Sequence, residues 1–281
     1  MATARRSEDL LGANIDGYRI DSLVGVGAMA AVYRATSPHG RVVAMKVIKP
    51  EYASNETFRR RFAREAWIAR SIRHPRVVEL LDVGEASGMP YLAARFLEGG
   101  SLQDKLAREV WLDLKTTIRM CTQVAEGLNS LHEAGMIHRD VKPANILLDR
   151  AGDAYITDFG LAKDEDGTLL TGTGETLGSL QYMSPEQIRG DTVTPASDTY
   201  SLGCVAYECL AGHSPFADRQ AVAILWAHLN QDPPDTHRAG VPPDLNEAVK
   251  LAMRKDPAER PPSSVAYAHM LSEAAGISAG G

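Results

Sequence analysis

The chain has 281 residues, 44% of them hydrophobic and 23% charged, with a formal charge of −6. That length supports one large or two modest cores, and the negative balance argues against nucleic acid or an acidic membrane surface as the main partner. No apolar run approaches the roughly 20 residues needed to span a bilayer, and the polar start from Met1 to Leu11 lacks the apolar stretch of a secretory signal.

Residues 1–16 read as a mobile tail, and residues 276–281 as a second one, frayed from Ser278. From Tyr18 to about Arg95 the pattern is mostly strand, with Val-, Leu- and Tyr-rich segments at Tyr18–Leu23, Val32–Ala35, Val42–Ile48, Val77–Val83 and Tyr91–Arg95. One helix interrupts them, from about Glu56 to Arg73. Beyond Leu102 the pattern turns helical. Asp113 to Ala134 reads as a long helix with an Asp at its start and Gly135 as its stop. Ile146–Leu148 and Ala154–Ile156 predict a hairpin around Asp149–Asp153. Further helices are expected at Ser197–Leu210, Gln220–Leu229, Leu245–Met253 and Ser264–Ala274. Strands first and helices second imply an α+β architecture: a small antiparallel β lobe with one helix, residues 17–95, joined to a larger, mainly α lobe, residues 96–275. Trp67, Trp111 and Trp226 read as packing residues, and His213, His228, His237 and His269 have no metal-ligand company.

Val24-Gly25-Val26-Gly27 lies between two predicted strands. Gly25 and Gly27 let a hairpin lie close over phosphates with backbone N–H groups facing them, although glycines alone mark only a turn. No helix follows directly, which excludes a dinucleotide fingerprint. Lys46 stands near the middle of the apolar strand Val42–Ile48. In the next helix Phe58, Phe62, Ala69 and Ile72 form an apolar stripe, and Glu65 falls on the same inward face. An unpaired carboxylate there would be costly or take up a proton, and Lys46 is its obvious partner. Arg59, Arg60, Arg64 and Arg70 read as the solvated side of that helix. The densest chemistry is His138-Arg139-Asp140-Val141-Lys142-Pro143-Ala144-Asn145, followed by Asp158-Phe159-Gly160. An acid, a lysine, a carboxamide and a second acid are the inventory for moving a phosphoryl group from ATP to a hydroxyl. They orient the attacking oxygen, place a cation on the phosphate and supply ligands for Mg²⁺.

The full string resembles the catalytic core of a protein kinase, and the resemblance runs from about Tyr18 to Ala274. Ser184-Pro185-Glu186-Gln187, Ser197–Gly203 and Lys255–Pro261 are similar to bacterial eukaryotic-like (Hanks-type) serine/threonine kinases. That resemblance implies a bilobal protein-kinase-like fold. It also implies in-line transfer of the γ-phosphoryl group of Mg-ATP to protein Ser or Thr hydroxyls, an activity of the EC 2.7.11.1 type, with Mn²⁺ as an alternative metal. Asp140 would orient the substrate hydroxyl and accept its proton, and Asn145 and Asp158 would hold the metal. Lys142 matches serine/threonine enzymes in preference to tyrosine ones. Lys46 would hold the α- and β-phosphates, anchored by Glu65 of the helix conventionally called αC. Val24, Gly25 and Gly27 would cover the nucleotide, and Val32, Ala44 and Leu147 would sandwich the adenine.

The same resemblance makes Thr171 or Thr173 a regulatory phosphosite, with Arg61, Arg139 and Lys163 receiving the phosphate. It sets Ser179 against Asp140 and Lys142, pairs Glu186 with Arg260, and has Asp198 hold the backbone of the catalytic loop. Tyr182 and Met183 would line the pocket for the residue after the phosphoacceptor. His138 and Phe159, with Ala69 and Leu80, would form an apolar column between the lobes. Two places depart from the family pattern: Ala30 replaces the third glycine, and Ala93-Ala94-Arg95-Phe96 replaces the usual hinge. The methyl of Ala94, at the position gating the back of the nucleotide pocket, implies a deep pocket. The implied partners are Ser- or Thr-containing proteins and the chain itself, through autophosphorylation or a homodimer. Cys121, Cys204 and Cys209 have no zinc or redox spacing, which fits a cytoplasmic setting, alone or as the inner part of a longer membrane protein. A pseudokinase scaffold would lack Lys46, Asp140 or Asp158, all present here. A small-molecule phosphotransferase would not carry Ser184-Pro185-Glu186 beside a threonine-rich loop.

Overall fold

Val43, Met45 and Val47 are buried while Val42, Ala44 and Lys46 are half-buried, the period-two alternation of a strand whose two faces differ. In a computed structural model describing residues 10–158, 177–217 and 219–277, that strand is central to a six-stranded antiparallel sheet. The sheet comprises β1 (Asn14–Ile15), β2 (Tyr18–Val26), β3 (Ala30–Thr36), β4 (Val42–Ile48), β5 (Leu80–Ala86) and β6 (Met89–Arg95), in the spatial order β1-β2-β3-β4-β6-β5. Between β4 and β5 run α1 (Pro50–Ala53) and α2 (Glu56–Ser71). Asn55 starts α2 by accepting the Phe58 N–H at 3.0 Å, and Phe58, Phe62, Ala66 and Ala69 give it one buried stripe.

Three expectations change in this unit. Residues 10–16 are not a tail: Leu10 and Ile15 are buried with Tyr18, Tyr33, Met45 and Tyr91, and β1 pairs with β2. The Tyr91 hydroxyl donates to Asp16 at 2.6 Å, closing the segment onto β6. Apolar residues at 10 and 15 are too widely spaced to show a period, so their burial had no sequence signature. The strand expected at Val77–Val83 lies instead at Leu80–Ala86, because Arg76 and Val77 are bound elsewhere. The division also shifts: one unit takes the chain up to His74 with Val78–Glu98, and the other takes Pro75–Val77 with Gly99 onward.

The second unit is helical apart from β7 (Ile146–Leu148) and β8 (Ala154–Ile156), which pair as a hairpin. Its helices are α3 (Leu102–Glu109), α4 (Leu114–Glu133), α5 (Leu177–Leu180), α6 (Pro185–Arg189), α7 (Pro195–Ala211), α8 (Ala221–Asn230), α9 (Pro243–Ala252) and α10 (Ser264–Ala274). Ser101 caps α3 in a reciprocal box with Asp104, and Asp113 caps α4 by accepting the Thr116 N–H. Helix α7 is buried almost all round, as its nearly unbroken apolar and small sequence requires. Gly203 lets it approach α9 closely: a Cβ there would meet Ala252 at 2.8 Å. Gly127 does the same for residues 75–77, where a Cβ would meet the Arg76 carbonyl at 2.8 Å. That carbonyl accepts the Ile156 N–H at 2.9 Å, and the Arg76 guanidinium reaches Asp153 at 3.0 Å. These bonds explain why the segment leaves the sheet.

The tryptophans correct a further expectation. Trp67, Trp111 and Trp226 are 76%, 50% and 54% exposed, so they are surface residues and not core packing. Truncating Ile15 tests the N-terminal segment: Ile15→Ala should lower the unfolding free energy by about 2–4 kcal/mol in urea titrations. An unchanged midpoint would return residues 10–16 to the status of a tail.

Candidate active site

The carboxylate of Asp198, in the first turn of the buried helix α7, organises the segment that leads into Asp140. It accepts the backbone N–H groups of His138 at 2.8 Å and Arg139 at 2.9 Å, and the ring nitrogen of His132 on α4 at 2.7 Å. Arg139 is left-handed, with φ of 65°, a conformation that costs a non-glycine residue about 1–3 kcal/mol. Charged hydrogen bonds in a buried site contribute roughly 1.5–3 kcal/mol each, enough to hold that strain. Gln187 of α6 adds a bond from its side chain to the Arg139 carbonyl at 2.9 Å.

His138 is fully buried, and burial pushes its pKa below the ordinary imidazole value despite the carboxylates of Asp198, Asp140 and Asp158 nearby. A neutral ring fits its bonds: Nδ1 accepts the Asp140 N–H at 3.2 Å, and Nε2, then the protonated nitrogen, donates to the Thr157 carbonyl at 2.8 Å. The ring therefore ties the turn at Asp140 to the strand end that leads into Asp158.

Around Asp140 three side chains converge. The Lys142 ammonium lies 2.8 Å from Asp140 Oδ2 and donates to the Ser179 hydroxyl at 2.7 Å. The Asn145 amide nitrogen donates to the same Asp140 oxygen at 2.9 Å and to the Asp140 carbonyl at 2.8 Å. Asn145 closes a one-turn helix that begins at Pro143, and its own carbonyl accepts the Thr157 N–H at 3.0 Å. Asp158 comes next, with φ of 61°. With the amide nitrogen committed twice to Asp140, the Asn145 oxygen is the donor left for a ligand. That oxygen and the Asp158 carboxylate are hard oxygen ligands of the kind that could hold Mg²⁺.

Ser179, on α5, is buried, and the chain beyond it is fixed to α7. Tyr182 donates its hydroxyl to Glu208 at 2.5 Å, while its carbonyl accepts from Ser201 at 2.7 Å. Glu186 of α6 receives both guanidinium nitrogens of Arg260 at 2.7 and 2.8 Å, and the Ser197 hydroxyl. Burial pushes the Glu186 pKa up, but Arg260 and Ser197 outweigh it and hold the carboxyl below the ordinary glutamate value.

The strand unit carries most of the other predicted residues. Lys46 lies opposite Val32 on one side and Leu92 on the other, and Ala44 lies opposite Ala94. By the alternation of the pleat, Val32, Ala44, Lys46 and Ala94 share one face, opposite the buried set of Tyr33, Val43, Met45 and Tyr91. Gly25 pairs with Val32, and Gly27 donates its N–H to the Ala30 carbonyl at 2.8 Å. Val24 is exposed at this hairpin. Ala30 is an ordinary strand residue with a buried methyl, opposite Ile48, so its departure from glycine strains nothing. Glu65 and Arg61 lie on α2, half-buried, and Leu147 lies on β7 opposite Tyr155. Phe159, Lys163, Thr171 and Thr173 fall outside the described residues.

An antiparallel sheet bearing a central lysine, and a helical unit bearing the Asp140–Lys142–Asn145 cluster beside Asp158, define a phosphotransferase fold of the kinase class. The family model for the protein kinase domain matches residues 18–272, and the chain belongs to that family. It is 39% identical over 263 residues to the serine/threonine-protein kinase PknA of Corynebacterium glutamicum, covering 92% of this chain and 55% of that one. It is 37% identical over 257 residues to PknA of Mycobacterium tuberculosis, covering 89% and 59%. The chain thus spans little more than half the length of these curated relatives. The crystal structure of the M. tuberculosis PknI kinase domain superposes with a TM-score of 0.76 at 28% identity, covering 95% of this chain and 99% of that one.

Glu186→Gln should cost about 3–5 kcal/mol at neutral pH, because it leaves Arg260 buried beside a neutral group. The lowered folded-state pKa makes this contribution complete above the ordinary value of 4.5 and lost as pH falls through the lower one. Denaturant titrations should therefore show the gap between parent and variant closing on acidification. A gap constant from pH 7 to acid would exclude the ionised pair.

Proposed function

We propose that the chain is a serine/threonine protein kinase domain that moves the γ-phosphoryl group of ATP to a Ser or Thr hydroxyl of a protein. The observation that carries this reading is the bonding of Asp140, Lys142, Asn145 and Ser179 to one another. Asp140 orients the acceptor hydroxyl and takes its proton, while Lys142, held on Ser179, neutralises charge on the transferring group. Asn145 and Asp158 hold Mg²⁺, or Mn²⁺ in its place, which when bound supplies charge neutralisation at the phosphates. Val24, Gly25, Gly27, Val32, Ala44, Lys46 and Leu147 are the proposed nucleotide residues, with Glu65 anchoring Lys46. Positioning and charge, not a covalent enzyme intermediate, carry the transfer.

Regulation follows the same chemistry. Phosphate on Thr171 or Thr173 would pair with Arg61, Arg139 and Lys163. The Arg139 Nε is buried without a hydrogen-bond partner among the described residues, as a guanidinium awaiting an anion would be. No helix of the described residues is long and apolar enough to cross a membrane. All three cysteines are buried free thiols, and burial pushes that of Cys121 up to about 12. Such thiols suit a reducing, cytoplasmic setting. The pseudokinase reading is not supported, since Lys46, Asp140 and Asp158 are all in place.

Incubation with Mg-ATP beside Asp140→Asn tests the chemistry. The variant should lose about 10²–10⁴-fold in the rate of phosphate incorporation. Equal incorporation by both proteins would refute the role given to Asp140. Phosphosite mapping of the active protein should find Thr171 or Thr173 modified, and finding neither would refute the regulatory part.

A further inference from the structure

Residues 232–233, with helices α9 and α10, surround an open groove of about 560 Å³, within the usual ligand-pocket range of roughly 300–1,000 Å³. Its residues take no part in the Asp140 cluster. The floor is apolar, formed by Pro233, Leu251 and Met270, and a methionine thioether adapts to irregular guests. The rim is charged: Asp232, Asp244, Glu247 and Glu273 face Lys250 and Arg254.

The two cations do not balance that rim. Lys250 is already held by carboxylates, 2.6 Å from Asp235 and 3.0 Å from Glu247. The hydrogen bond to Asp235, then that to Glu247, raises its pKa, so its charge is spent locally. Among the described residues Asp232, Asp244 and Glu273 have no ion-pair partner; Arg254 on the rim and the buried Lys255 ammonium near Asp232 offset them only in part. A guest that suits this groove has an aliphatic stem for the floor and a cationic end for the rim, which is the build of lysine and arginine side chains.

We propose that the groove docks a basic segment of a protein, with Lys or Arg stems on Pro233, Leu251 and Met270 and their charged ends among Asp232, Asp244 and Glu273. As a peptide-binding site it stands on the groove alone; as a substrate-docking site it rests on the kinase reading above. Binding there tethers a substrate away from the transferring atoms, so it lowers KM and leaves kcat unchanged.

The whole chain, labelled with ¹³C at its methionine methyls, is titrated with an acetylated and amidated tetra-arginine peptide at low salt. The Met270 methyl should shift saturably, and binding should weaken about tenfold or more in Asp244→Lys/Glu273→Lys. The milder Asp244→Asn/Glu273→Gln should show an intermediate loss with little risk to folding. A control with the same charge change at exposed sites elsewhere, Glu51→Lys/Glu133→Lys, should bind as the parent does. A stationary Met270 signal would overturn the proposal, as would equal losses in the groove and control variants. In the kinetic arm, a Ser/Thr peptide extended by the same four arginines should show a raised KM in the groove variants only, at constant kcat. An unextended peptide should not respond. Saturable binding at Met270 with no phosphorylation of any peptide by the parent would support the groove and sink the kinase reading.

Discussion

The geometry around Asp140 depends on one buried carboxylate. Asp198 is surrounded by donors from two backbone N–H groups and one imidazole, and it sits on a helix that is itself buried. An isolated charge there would be prohibitive, but three donors make it a fixed point. From it hang the left-handed turn at Arg139, the position of Asp140, and through His138 the approach of the chain to Asp158.

Helix α7 is the shared support of site and scaffold. Ser197 reaches Glu186, Asp198 reaches the backbone of His138 and Arg139, Ser201 reaches the Tyr182 carbonyl and Glu208 reaches the Tyr182 hydroxyl. Burial pushes the Glu208 pKa up, partly opposed by the Tyr182 bond. Ser197, Ser201 and Glu208 are thereby matched to the segment from Ser179 to Glu186, which carries the partner of Lys142. A core helix that spends its polar groups this way fixes an irregular segment with few regular backbone bonds of its own. The Glu186–Arg260 pair adds rigidity more than net stability, since an apolar replacement of both partners could pack as well.

The two places where the chain departs from the family pattern are structurally quiet. Ala30 lies in regular strand geometry with its methyl buried, so a glycine there would add freedom that the backbone does not use. Ala94 lies in regular strand register, opposite Ala44 on one side and Leu80 on the other.

Local pattern alone determined the strands β2 to β4, the helices α2, α4, α7 and α10, the hairpin of β7 and β8, and the identity of Asp140, Lys142, Asn145 and Asp158. Each of these is written within a few residues, as a hydrophobic period, a capping residue or a contiguous motif. Tertiary structure alone decided that Leu10 and Ile15 are core, that Arg76 and Val77 leave the sheet for β8, and that the three tryptophans face solvent. It also decided that His132 serves Asp198 from 66 residues away, and that Gln187 steadies Arg139. Such contacts join distant residues whose own neighbours carry no trace of the partner, so only the folded chain can bring them together.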